Sequence, residues 1–98
     1  MKVTTWKGGT YGIRVGSQNA QNFFNKSWEK IEVKVDGKFY SFSLTPTFWT
    51  TCPEFRGGPL PLWMLKNKIN DWPKGKPYTL ELVPLGENRF ELFSLDNR

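Results

Sequence analysis

Apolar and polar positions alternate most cleanly from Trp28 to Leu44, in WEKIEVKVDGKFYSFSL. Period-2 alternation on both sides of Asp36-Gly37, a strong type I′ turn pair, predicts a two-residue β-hairpin. That register sets Val33 opposite Tyr40 and Ile31 opposite Phe42 on one face. Glu32, Lys34, Ser41 and Ser43 point the other way, so one face is buried and one is wet, as in an antiparallel sheet. Upstream, VTTWK and YGIRV read as two strands joined through glycines. Ser17 then suits a helix N-cap, and Ala20, Phe23 and Phe24 fall at i, i+3 and i+4 on one apolar face. TPTFWTTCPEFRGGP is expected to be an irregular connection or an extended arm, with a short strand around Phe48 to Thr51. In LPLWMLKNKIN, Pro61 fits a first helical turn, and Leu62, Leu65 and Ile69 are the expected buried stripe. NDWPKGKP breaks that helix. In the final stretch Leu80 and Leu82 alternate with Thr79 and Glu81, Gly86 to Asn88 turns the chain, and Phe90 and Leu92 follow. The pattern predicts a mainly β (α+β) chain: one small antiparallel barrel or half-open pseudobarrel of about six to seven strands with two short helices.

Ninety-eight residues suffice for one core, so residues 1–98 are expected to form a single barrel-like domain. Eight Phe, five Trp and three Tyr supply that core and mark a folded chain rather than a disordered one. No apolar run is long enough for a membrane span, and MKVTTWKGG lacks the apolar segment of a secretory leader. With one cysteine, the expected location is the reducing cytoplasm. Net charge is +5 and unevenly spread. Residues 1–28 carry Lys2, Lys7, Arg14 and Lys26 with no acid, and residues 55–80 carry Arg56 and four lysines against Asp71 alone. Two basic zones in a chain that turns acidic towards its end suit a polyanionic partner.

Catalysis has little to build on. The absence of histidine removes the commonest general base and transition-metal ligand. Cys52 has neither a histidine partner nor a second thiolate, and the acids are scattered. No enzyme activity, metal or cofactor is expected. WKGGTYGIRVG lacks both the Gly-Lys-Ser/Thr ending of a phosphate-binding loop and the spacing of a dinucleotide fold. A hairpin tip, bent by glycines at positive φ, accounts for it better. Around that bend Lys7, Thr10, Tyr11 and Arg14 carry the cationic, hydroxyl and aromatic groups that contact phosphates and base edges, beside a Trp6 that core packing explains equally well. Trp49, Thr50, Thr51, Glu54 and Arg56 set stacking, hydroxyl, acceptor and cationic groups together in the second irregular segment.

The order of parts resembles the DNA-binding pseudobarrel superfamily, which includes plant B-three-type transcription-factor domains and the effector-binding domain of EcoRII-like restriction enzymes. GGTYGIRVGSQNAQNFF is similar to the family's glycine-bearing first arm, strand and aromatic-ended helix. IEVKVDGKFYSFSL is similar to its central hairpin, and LPLWMLKNKINDWPKGKPYTLEL to its tryptophan-bearing short helix, glycine turn and closing strand. The first arm is shorter than usual, and Gly16-Ser17 stands where a proline is expected. The resemblance implies a non-enzymatic module that grips double-stranded DNA with two arms. By position these are Lys7 to Arg14 and Trp49 to Arg56, the same two zones in which the basic residues concentrate. Two other readings stay open. One is a small ligand or protein partner held in an aromatic cleft of Trp49, Phe55 and Trp63, and the other is a homodimer formed through an exposed strand edge.

Overall fold

A computed structural model describes residues 1–94. Seven strands and three short helices follow one another as β1 (Lys2–Lys7), β2 (Tyr11–Arg14), α1 (Ser17–Phe23), β3 (Lys30–Val35), β4 (Lys38–Ser43), α2 (Pro46–Thr50), β5 (Glu54–Arg56), α3 (Leu60–Lys66), β6 (Thr79–Gly86) and β7 (Arg89–Ser94). The strands form one sheet in the order β4-β3-β7-β6-β1-β2-β5, which curls into a nearly closed barrel. No helix among the described residues is long and apolar enough to cross a membrane.

The central hairpin folds as its alternation predicts. Ile31 pairs with Phe42 and Val33 with Tyr40, while Asp36 (φ 52°) and Gly37 (φ 83°) supply the two positive φ values of the tight turn. Ile31, Val33 and Phe42 are buried, and on the outer face Ser41 donates to the Glu32 carboxylate at 2.6 Å. The β6–β7 hairpin buries Leu80, Leu82, Phe90 and Leu92 in the same alternating way.

The sheet is mixed rather than wholly antiparallel, because β3 and β7 run parallel. The β6–β7 hairpin inserts between β3 and β1, and its direction fixes that of β7. The Glu32 backbone amide donates to the Asn88 carbonyl at 2.9 Å, and the Asn88 side-chain Nδ2 donates to the Lys30 carbonyl at 3.0 Å. A pairing between strands this far apart in sequence has no local turn signature.

Three helical expectations are corrected. Gly16, at φ 88°, rather than Ser17, is the N-cap of α1, and no side chain caps it. Phe24 stacks on Phe90 with ring centroids 4.8 Å apart, whereas Phe23 is 42 % exposed. Residues 46–50 form α2, where a strand was expected around Phe48 to Thr51. Pro46 presets the φ of a first helical turn, Thr51 closes it by donating to Thr47, and Phe48 drops into the core. In α3 the buried residues are Leu60, Trp63 and Met64, while Leu62 and Leu65 are 75 % and 57 % exposed. The helix ends at Lys66, because Asn67 caps the Trp63 carbonyl at 2.8 Å and Lys68 takes a φ of 61°. Ile69 is buried, but beyond that turn rather than on the helical stripe.

The two ends of the strand order, β4 and β5, face one another without pairing, so the barrel retains a seam. Side chains close it from inside: the Phe42 and Phe55 rings meet at 4.8 Å, each almost wholly buried.

Candidate nucleic-acid interface

Beside the seam, β1, β2 and β5 present one outward face. Pairing of β2 with both neighbours aligns Trp6, Gly12 and Arg56 in one row and Thr4, Arg14 and Glu54 in the next. Gly12 is the bare position between two large side chains. A Cβ there would lie 2.5 Å from the Phe55 carbonyl oxygen and 2.7 Å from the Arg56 Cβ. With that space open, the Arg56 guanidinium lies 5.3 Å from the Trp6 ring, a cation–π distance. From the hairpin tip, a Cβ on Gly8 would meet the same ring at 2.5 Å. Trp6 is therefore held half-buried between the tip and β5.

Of the tip glycines, Gly8 serves close approach to Trp6 while Gly9 has open space around it, and neither takes the positive φ expected of them. The positive-φ glycines are Gly16, Gly37, Gly57, Gly58, Gly75 and Gly86, and none lies in the tip. The tip also uses one of its own donors, since the Gly8 amide donates to the Thr10 carbonyl at 2.8 Å.

Trp6 separates two concavities. One, of about 440 Å³, gathers Lys7, Arg14 and Lys74 around Trp6 and Trp72. Lys7 lies 5.3 Å from the Trp72 ring and 5.9 Å from the Tyr11 ring, and pairs with Asp71 at 3.5 Å. Arg14 pairs with Glu54 at 3.6 Å, whose side chain is 7 % exposed. The other concavity, of about 540 Å³, is the seam itself, lined by Ser41, Ser43, Thr47, Cys52, Phe55 and Arg56 among others. Among the described residues no carboxylate lies within ion-pair distance of Arg56 or Lys74.

Of the residues singled out from the sequence, Lys7, Thr10, Tyr11, Arg14 and Arg56 fall on or beside this face, with Tyr11 partly packed against the core. The second segment is not an extended arm. Thr50 and Thr51 are exposed at the end of α2 and line neither concavity, whereas Thr47 and Cys52 turn towards the seam. Trp49 packs edge-on against Phe48 at 4.9 Å. The trio Trp49, Phe55 and Trp63 does not converge on one cleft. Phe55 lines the seam, and Trp63 borders a separate hollow of about 220 Å³ with Tyr40 and Leu62. Trp72 and Lys74, not among the residues expected at the site, sit in a segment whose prolines and glycine mark only a turn. Their signal was a tryptophan beside a lysine inside that turn.

The class defined by this geometry is a small, mainly β, nearly closed barrel whose topology fits a pseudobarrel. No family model, curated protein or solved structure matches the chain.

Proposed function

We propose that the protein is a non-enzymatic module that binds double-stranded DNA through the face formed by β1, β2 and β5. One observation carries the reading: Lys7, Arg14, Lys74 and Arg56 surround a half-exposed Trp6 on one continuous surface, and two of the four have no carboxylate partner among the described residues. Cations placed this way neutralise backbone phosphates and release counterions, which makes affinity fall steeply with salt. The hairpin tip is the first gripping element, with Thr10 and Tyr11 beside its cations as candidates near base edges. The second is Arg56 on β5, with Thr50 and Thr51, exposed at the end of α2, as further candidates for contact.

Fluorescence anisotropy with a labelled random duplex, titrated at several salt concentrations, tests the reading. Binding should tighten as salt falls, and Lys7→Ala or Arg56→Ala should each weaken it and reduce the salt slope by about 1. No binding even at low salt, or slopes unchanged in both folded variants, would overturn it.

A further inference from the structure

The seam has a property that phosphate binding does not use, the unpaired backbone along both its walls. In β4 the Leu44 amide donates to the Glu29 carbonyl at 2.9 Å, continuing the ladder to β3. Antiparallel alternation then turns the amides and carbonyls of Phe39, Ser41 and Ser43 away from β3 and towards the seam. In β5 the Gly57 amide donates to the Tyr11 carbonyl at 2.9 Å, and the Pro53 carbonyl accepts from Val15 at 2.8 Å. The same alternation directs the Arg56 amide and carbonyl, and the Glu54 carbonyl, to the opposite wall of the seam. The Glu54 amide is already spent on the Cys52 carbonyl at 2.7 Å. Two strand edges thus face each other across a cavity of about 540 Å³ with an aromatic floor of Phe42 and Phe55.

We propose that this seam is a strand-addition site for an extended segment of a partner protein in which apolar and acidic residues alternate. An extended chain laid against β4 would complete the main-chain hydrogen bonds that an edge strand leaves open. Its side chains alternate between two faces. Those turned inward lie over the packed, almost wholly buried rings of Phe42 and Phe55 and are small and apolar. Those turned outward meet the guanidinium of Arg56, which has no carboxylate within ion-pair distance among the described residues, while Glu54, the acid that also lines the cavity, is paired with Arg14 at 3.6 Å. The net charge of +5 favours the same acidic chemistry at longer range. This inference does not depend on DNA binding.

The test uses the full chain, isotopically labelled, and a short synthetic peptide alternating glutamate and valine. Titration should shift and protect the amides of Ser41, Ser43 and Arg56. A peptide N-methylated at alternate residues keeps the charge but loses main-chain donors, and should bind roughly tenfold more weakly or less. Ser43→Pro deletes an amide that no internal ladder uses, so the variant should fold and lose the peptide. The proposal is overturned by equal binding of the N-methylated peptide, by unchanged affinity in folded Ser43→Pro, or by shifts confined to the Lys7–Arg14–Lys74 concavity. DNA titrations of Ser43→Pro separate the two readings, because the variant should bind duplex as the parent does.

Discussion

At the scale of single residues, Gly12 and Glu81 show two different kinds of constraint. Gly12 is set by space alone. A methyl group at that position would have to displace the Phe55 carbonyl and the Arg56 Cβ, in a three-residue strand that has only β2 to hold it. Gly12→Ala should therefore destabilise the fold by about 1–3 kcal/mol and loosen Arg56 from Trp6. Chemical denaturation reads the first effect and the assigned Trp6 indole resonance the second. No pattern in the sequence distinguishes this glycine from its neighbours, because its constraint comes from a strand more than forty positions away. Glu81 is set by charge. The Met1 ammonium donates to its carboxylate at 2.8 Å and lowers its pKa, against partial burial, with Lys2 adding to the effect at 3.3 Å. A lowered folded pKa gives stability that is present above the ordinary glutamate value of about 4.3 and lost as pH falls through the folded value. Thermal melts should show Glu81→Gln less stable than the parent at neutral pH, with the gap closing in acid.

Among the elements, the hairpins were legible in register, and α1 and α3 in place but not in the face they bury, for a physical reason. A two-residue turn with Asp-Gly fixes the register of both flanking strands, and the alternation of Ile31, Val33, Tyr40 and Phe42 then has only one way to bury itself. A helix of two turns has few side chains to define its stripe. Shifting its start by one residue changes which of them meet the core. Rotating the stripe does the same, and in α3, which begins at Leu60 as expected, Leu60, Trp63 and Met64 are buried in place of Leu62 and Leu65. Truncation separates the two registers: Met64→Ala should cost about 2–5 kcal/mol, and Leu65→Ala no more than about 0.5 kcal/mol, by denaturant titration. In α2, the β-forming character of Phe48, Trp49 and Thr50 obscured the stronger cue of Pro46 following Thr45.

For the whole molecule, the order of elements was readable, but not their arrangement in the sheet. The basic zones around Lys7–Arg14 and Arg56 were visible as composition. Their meeting on one face follows from β2 pairing with both β1 and β5, which no local signal encodes. Trp72 and Lys74 join that face from a segment whose Pro73 and Gly75 mark only a break in the chain. The position of the β6–β7 hairpin has a further consequence, for how the chain comes to fold. This hairpin is the keystone between β4-β3 on one side and β1-β2-β5 on the other, yet it is synthesised after both. A nascent chain that has emerged only as far as Tyr78 holds two groups of strands with no edge in common. They are joined only when Thr79–Ser94 leaves the ribosome, and the long-range pairings β1–β6 and β3–β7 then form together. Chains arrested before that point should be digested rapidly by protease, and protection should appear in one step once the last hairpin is free.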